Sequence, residues 1–292
     1  MAINRIFIAG AGRMGQGIAE TAATAGIKVD ISDIDSTRLD EGMAGIESSL
    51  DRAIERWVLT AEEKRIILSR IQPVMDIHSA PDRDPDFAIE AVPEDPDLKK
   101  SVFASFDEHF GDRTIFVTST STLSITDLAG ATGRPDRIVG MHFLFPVPHA
   151  AMVEVSGALK TSDDTLRAAK SLATQMKKRI IEVHEYPGFV ITRVMIPFIN
   201  EAAYTLMEGV ATAADIDEAI RLGFGFPMGP LELADMIGLD DLMVLMESLF
   251  RELGDFKYKP CPKIRRLVRA GRLGKKTGGG FLTYDSDEGG LQ

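Results

Sequence analysis

Three observations predict an α/β chain in which a doubly wound parallel-sheet domain precedes an all-helical one. Short apolar runs alternate with helical stretches from Arg5 to about Val183, the order that builds a parallel sheet with helices on its faces. The first of those runs breaks at Gly10-x-Gly12-x-x-Gly15, directly ahead of a helical stretch. Beyond Pro187-Gly188 nearly everything reads as helix. With 292 residues, the chain is about twice the usual domain size. Its 45% apolar and 26% charged residues are the ordinary balance of a globular protein.

Taken in order, Arg5 to Ala9 is a short apolar run of the kind that forms a buried parallel strand. The glycine turn follows, and Gln16 to Ala25, rich in alanine, reads as a helix stopped by Gly26. Ile27 to Ser32 is the second strand. Two helices are expected next, Thr37 to Trp57 and Ala61 to Arg70, with Thr60 and Glu63 spaced as a capping box between them. Further strand-like runs are Phe87 to Ala91, Thr114 to Thr118 and Arg137 to Met141, with a helix from Leu98 to Phe110. Glu185-Tyr186-Pro187-Gly188 is the linker candidate, because Pro-Gly punctuates the chain. It divides the protein into residues 1–185 and 186–292. The second part reads as helices over Phe189 to Glu208, Ala213 to Leu222, Gly229 to Ile237 and Leu239 to Leu253.

The formal charge of −11, from 33 basic and 44 acidic side chains, argues against a nucleic-acid partner, since neutralising phosphates needs excess Lys and Arg. The one cysteine, Cys261, rules out an internal disulfide and a cysteine-based zinc site. No metal is expected. No apolar stretch of about 18 residues is free of charge or proline, so no membrane span is expected. The apolar run Ile3 to Ala9 is shorter than a signal-peptide core. These features predict a cytosolic protein. The charge is uneven, however: the window from Lys257 to Lys276 holds nine basic residues and no acid. A solvated helix face explains most such runs; a site for an anionic partner is the functional alternative.

The glycine spacing is weak by itself and strong in its context, a strand–turn–helix unit. There the first glycine permits the tight turn. The second lets a pyrophosphate approach the backbone, and the third lets helix and strand pack closely. Asp33 stands at the end of the second strand, where a carboxylate can accept hydrogen bonds from an adenosine ribose. The same charge repels a 2′-phosphate, so NAD is expected rather than NADP. Asp35 competes for that role. The reading is a Rossmann-type domain.

Two further sets of residues suit chemistry. His142 follows the strand-like run Ile138 to Met141, and ligands sit beyond the carboxyl ends of strands in such sheets. Glu154 lies in an otherwise apolar run and needs a partner, for which an imidazole is the obvious candidate. Such a pair suits a dehydrogenase: the imidazole takes the alcohol proton, and the carboxylate orients it. A structural ion pair is the alternative. Thr118-Ser119-Thr120-Ser121-Thr122 is dense in hydroxyls that could cap the next helix or bond a substrate oxygen.

With these residues in place, six blocks resemble the 3-hydroxyacyl-CoA dehydrogenase family. They are the glycine block of residues 10–15, Glu90-Ala91-Val92-Pro93-Glu94, the His142 to Pro148 block, Pro187-Gly188-Phe189-Val190, Phe226 to Pro230, and Leu273 to Gly278. The resemblance runs from Ile6 to about Tyr284. It implies an NAD-binding domain joined to a helical domain that forms a homodimer. The implied reaction is oxidation of a (3S)-3-hydroxyacyl-CoA or related acyl thioester to the 3-keto compound. By position it implies His142 as general base, Glu154 as its partner and Ser121 as a hydrogen-bond donor to the substrate oxygen. It implies cofactor contacts at Gly10, Gly12, Arg13, Met14, Gly15, Asp33, Glu94, Lys99 and Lys276. It places Ser49 and Arg56 on a helix pair that holds CoA.

Three departures stand out: Ser119, Phe145 and Thr192 occupy positions where the family usually has asparagine. Ser119 and Thr192 keep a hydroxyl that can replace part of the bonding near substrate and nicotinamide. Phe145 exchanges a polar contact for an aromatic wall, which points to altered specificity. Two alternatives follow. A dehydrogenase of the same fold could act on a hydroxyacyl group carried by an acidic carrier protein, docked at the basic window, or on a free hydroxy acid. A non-catalytic NAD-binding protein is the other.

Overall fold

The computed structural model describes residues 2–80 and 84–284. In the first unit, Met1–Tyr186, the elements are β1 (Arg5–Ala9), α1 (Arg13–Thr24), β2 (Lys28–Ser32), α2 (Ser36–Glu55), α3 (Ala61–Leu68), β3 (Ile71–Val74) and β4 (Phe87–Glu90). They continue as α4 (Pro96–His109), β5 (Ile115–Thr118), α5 (Ile125–Ala129), β6 (Ile138–Phe143), β7 (Met152–Gly157), α6 (Asp163–Gln175) and β8 (Arg179–Glu182). All eight strands form one sheet in the order β3-β2-β1-β4-β5-β6-β7-β8. Only the β6–β7 pairing is antiparallel. The chain turns to one side after β1 and to the other at β4, so the carboxyl ends of these two strands border a crevice, the place where such sheets bind ligands.

The central strands are apolar because they are covered on both faces. Ile6, Ile8, Ile31, Ile89, Val117 and Val139 are all buried. On one face α4 packs through Phe103 and Phe106 against Phe116 and Phe7. Helix starts follow local chemistry. The capping box at Thr60 and Glu63 forms in both directions, and Asp35, Asp95, Ser124 and Ser162 each cap a helix through a side-chain oxygen.

The structure departs from the sequence reading at β3, β7 and β8, which periodicity did not reveal, and at β6. The expected strand ended at Met141, but β6 continues through His142 and Phe143 because β7 pairs with it from Val139 to Phe143. His142 therefore lies within a strand, not beyond one.

One buried acid offers a stability test. Glu20 on α1 is largely enclosed, and burial pushes its carboxyl above the usual range against a hydrogen bond with Ser49 and the charges of Arg52 and Lys178. The folded protein thus holds this proton more tightly than the unfolded chain. Stability falls as pH rises from below the unfolded value of about 4.3 through the raised one. Glu20→Gln removes that loss, so its Tm is expected above the unaltered protein's at neutral pH, with the two converging near about pH 4. Equal melting temperatures at neutral pH would show that Glu20 ionises without cost.

The second unit, Pro187–Gln292, is helical over its described residues: α7 (Ile191–Met207), α8 (Ala213–Phe224), α9 (Pro230–Ile237), α10 (Leu239–Leu253) and α11 (Pro262–Arg269). Its core gathers Ile196, Ile199, Leu231, Leu242, Met246, Leu249 and Ile264. Buried polar side chains tie its turns. The Asp217 carboxylate accepts the amides of Leu231 and Glu232 at the start of α9, and Asn200 bonds the backbone of Lys257, Lys259 and Cys261. Among the described residues no helix is long and apolar enough to cross a membrane, and no cluster of three His, Cys, Asp or Glu side chains is placed to hold a metal.

Candidate active site

The glycine turn joins β1 to α1 at the crevice. Gly10 takes φ +107, and a Cβ there would lie 2.5 Å from the Ala91 carbonyl oxygen at the end of β4. A Cβ on Gly15 would lie 1.8 Å from the Gly10 carbonyl oxygen. Both glycines are thus required by the protein's own packing. Gly12 differs: its φ is −70, and beyond its own chain neighbours no atom of the described residues lies within 4 Å of its Cβ position. That space is open beside the first turn of α1, which Gly12 starts without a side-chain cap. Open room before uncapped amides fits the pyrophosphate of a dinucleotide.

Asp33 follows β2 directly, and its carboxylate accepts the Ala11 amide at 2.7 Å and the Ile34 amide at 2.7 Å. It therefore lies against the glycine turn. Asp35, its competitor, caps α2 by accepting the Arg38 amide at 2.9 Å.

The hydroxyl run after β5 does not cap α5; Ser124 does. Its threonine hydroxyls instead converge on Glu90, which ends β4, and on Glu94 beyond it. Glu94 Oε1 accepts the Thr120 hydroxyl at 2.6 Å, the Thr122 hydroxyl at 3.0 Å, and the amides of Ser121 and Thr122 at 2.9 and 2.8 Å. Glu90 accepts the Thr118 hydroxyl at 2.8 Å. Lys99, 1% exposed, lies between the two acids, 2.6 Å from Glu90 Oε1 and 3.3 Å from Glu94 Oε2, and also donates to the Val92 carbonyl. Burial would push Glu94 up, but Lys99 and the threonine donors prevail and hold it below its usual range. Burial raises the wholly enclosed Glu90 carboxyl. Against burial, the two acids hold Lys99 above the usual range. This network orders the loop carrying Ser119, whose amide bonds the Glu90 carbonyl, and Ser121. Among the described residues no hydrogen bond engages the Ser121 hydroxyl. That Glu90 and Glu94 meet the three threonines is what the sequence alone does not show. The signal was an acid ending an apolar strand, since a charge there needs a partner.

His142 and Glu154 face each other directly across the antiparallel β6–β7 pair. Their Nδ1 and Oε2 atoms lie 2.6 Å apart, with the residues 4% and 1% exposed. A carboxylate can only accept, so Nδ1 carries the proton and Nε2 is the unprotonated nitrogen of the neutral ring. The parallel pairing of Thr118 with Gly140 puts the Ser121 loop and His142 at the carboxyl edges of neighbouring strands. Phe145, just beyond β6, is stacked under Arg13, whose guanidinium carbon is 3.9 Å from the ring centroid.

The remaining expected residues are placed as follows. Met14 lies half-buried in the first turn of α1. Ser49 is half-buried on α2 and bonded to Glu20, while Arg56 is exposed at the end of the same helix. Thr192 and Lys276 belong to the second unit. Thr192 is buried in the first turn of α7. Lys276 lies 2.6 Å from Asp240 and 3.3 Å from Asp241, and despite burial it helps hold the Asp240 carboxyl below the usual range. The basic window contains α11, with Ile264 buried. Lys257, Arg265, Lys275 and Lys276 of that window are paired with Asp255, Glu247, Glu232 and Asp240.

Two family models match the chain. The 3-hydroxyacyl-CoA dehydrogenase NAD binding domain matches residues 5–186, and the 3-hydroxyacyl-CoA dehydrogenase C-terminal domain matches residues 188–284. A 3-hydroxybutyryl-CoA dehydrogenase of Bradyrhizobium diazoefficiens is 41% identical, over 97% of this chain and 96% of the relative. The crystal structure of (S)-3-hydroxybutyryl-CoA dehydrogenase PaaH1 from Ralstonia eutropha is 43% identical, with a TM-score of 0.87 over 98% of this chain and 100% of that one. That of M. tuberculosis FadB2 has a TM-score of 0.94 at 34% identity, over 98% and 100%.

Proposed function

The chain belongs to the 3-hydroxyacyl-CoA dehydrogenase family and is an NAD-dependent dehydrogenase, and from that premise we propose that it oxidises a short-chain (3S)-3-hydroxyacyl-CoA to the 3-ketoacyl-CoA. The 2.6 Å bond between His142 and Glu154 carries this reading. Glu154 fixes the tautomer, so His142 Nε2 accepts the proton of the 3-hydroxyl group. The carboxylate then stabilises the imidazolium that forms. The Ser121 hydroxyl donates to the substrate oxygen and keeps it aimed at His142. The chemistry that NAD supplies when bound is acceptance of the hydride from C3. Asp33 bonds the adenosine ribose, and the amides of the glycine turn meet the pyrophosphate. Glu94 and Lys99 support this site by ordering the Ser121 loop, and Ser49 and Arg56 hold the CoA. The protein acts in the cytoplasm as a homodimer, without nucleic acid or membrane. The exposed apolar side chains of the second unit, among them Val194, Leu222 and Phe224, support the dimer.

An NADH-oxidation panel tests the substrate. Acetoacetyl-CoA is expected to turn over faster than longer ketoacyl-CoAs, carrier-bound ketoacyl groups or free keto acids. A carrier-bound substrate that is preferred, with KM rising steeply with ionic strength, would replace CoA by a docked carrier. The internal pairing of four basic residues in the window favours CoA.

A further inference from the structure

The Ser121 loop is held at both ends, and the network of Glu90, Glu94 and Lys99 accounts for the first. At its returning end, where α5 begins, Ser124 and Thr126 bond a carboxylate 61 and 59 residues further along the chain. Glu185 Oε1 accepts the Ser124 hydroxyl at 2.8 Å and the Thr126 amide at 2.7 Å, and its Oε2 accepts the Thr126 hydroxyl at 2.5 Å. We propose that Glu185 is a positioning residue for Ser121: it fixes the returning end of the loop, and with it the direction from which the Ser121 hydroxyl meets the substrate oxygen. The proposal rests on the role given to Ser121 above.

α5 does not hold that end by itself. At five residues it is far below the length at which a helix is stable alone, so contacts from outside set its position. One comes from the sheet. Ile125 is wholly buried, and a Cβ on Gly140 would lie 2.5 Å from its Cδ1. Gly140 precedes His142 by two residues on β6, so the loop is seated on the strand that carries the proposed base.

The other contact is Glu185. It stands in Glu185-Tyr186-Pro187-Gly188, where an acid would ordinarily be left to water, yet it is half-buried and takes three donors. Hydrogen bonds to a charged acceptor are the strong ones. A hydroxyl has one proton, and here both hydroxyls give theirs to the carboxylate. Their lone pairs are thereby turned to amides, Ser124 to that of Asp127 at 3.1 Å and Thr126 to that of Leu159 at 2.9 Å. Removing the carboxylate frees both hydroxyls to rotate, and it loosens the cap of α5 and the link to the segment after β7 together. Ser121 lies three residues before Ser124, and its amide is already tied to Glu94 on the other side. Its backbone is therefore set from two directions. Displacing a reacting or hydrogen-bonding group by about 1 Å can cost as much as about 10²-fold in rate.

The test follows kcat and KM for reduction of acetoacetyl-CoA by NADH, with the NADH affinity and Tm of each variant. Ser121→Ala is expected to lower kcat by about 10²-fold. Glu185→Ala is expected to lower it by about tenfold, with KM and NADH affinity near their original values. Glu185→Gln, whose amide oxygen still accepts from Ser124 and Thr126, is expected to recover all but about threefold. The deciding measurement is the double variant Ser121→Ala/Glu185→Ala. Without the Ser121 hydroxyl there is nothing left to aim, so its kcat is expected to match that of Ser121→Ala alone. Should Glu185→Ala not fold, Thr126→Val keeps the shape and removes one hydroxyl. It is expected to lose about threefold when Ser121 is present and nothing when it is absent. Losses that multiply in the double variant would overturn the proposal, because Glu185 would then be holding the fold at large. So would a folded Glu185→Ala variant with full kcat. Full turnover by Ser121→Ala is a separate result that removes the role of Ser121, and the proposal with it.

Discussion

Replacing His142 by glutamine is expected to lower kcat by about 10²- to 10⁴-fold, the usual contribution of a positioned general base, while NADH affinity stays unchanged. Glutamine can hydrogen-bond but cannot carry the proton of the 3-hydroxyl group. At about 1.4 kcal/mol per decade, the loss amounts to roughly 3–5.5 kcal/mol of transition-state stabilisation. Glu154→Gln is expected to act in the same direction and less severely. Its amide oxygen can still accept from Nδ1, but the charge that stabilises the imidazolium is gone. Both residues are buried, so the comparison requires melting temperatures and NADH binding beside the rates. A folded, NADH-binding His142→Gln variant with full turnover would end the proposed mechanism.

Gly12→Ala and Gly15→Ala separate binding from folding. At Gly12 the φ of −70 is ordinary for any residue, and the Cβ position is empty. The alanine variant is expected to keep its Tm and to weaken NADH binding by at least about tenfold, or about 1.4 kcal/mol. The methyl group enters the space assigned to the pyrophosphate. At Gly15 the Cβ would lie 1.8 Å from the Gly10 carbonyl oxygen, so α1 or the turn must shift. Overpacking of that kind costs about 1–3 kcal/mol, and a lower Tm should accompany the loss of NADH binding. Unimpaired NADH binding by Gly12→Ala would place the pyrophosphate elsewhere.

Much of this organisation was legible because its causes are local. The apolar run of β1, the capping box at Thr60 and Glu63, and the three glycines each depend on residues a few positions apart. The alternation of strands and helices was enough to expect the parallel sheet, and spacing and local context singled out the glycine turn, His142 and Glu154. The elements that escaped depend on distant partners. Residues 152–157 read as an apolar run and became β7 only by pairing with β6. The end of β6 moved past His142 for the same reason. The serine and threonine run left two roles open until Glu94, far back in sequence, supplied the acceptor.

By itself, then, the sequence determined the doubly wound class, the glycine turn with an acid after the second strand, and an imidazole and a carboxylate in neighbouring apolar runs. Tertiary structure decided which of these groups meet. Antiparallel register set His142 opposite Glu154, and a helix cap occupied Asp35 and left Asp33 against the turn. Sheet order let Arg13 reach Phe145. The physical reason is one of range: propensity, capping and turn geometry act over a few residues. Register and sheet order are set by burial of whole faces and by partners that must be satisfied away from water.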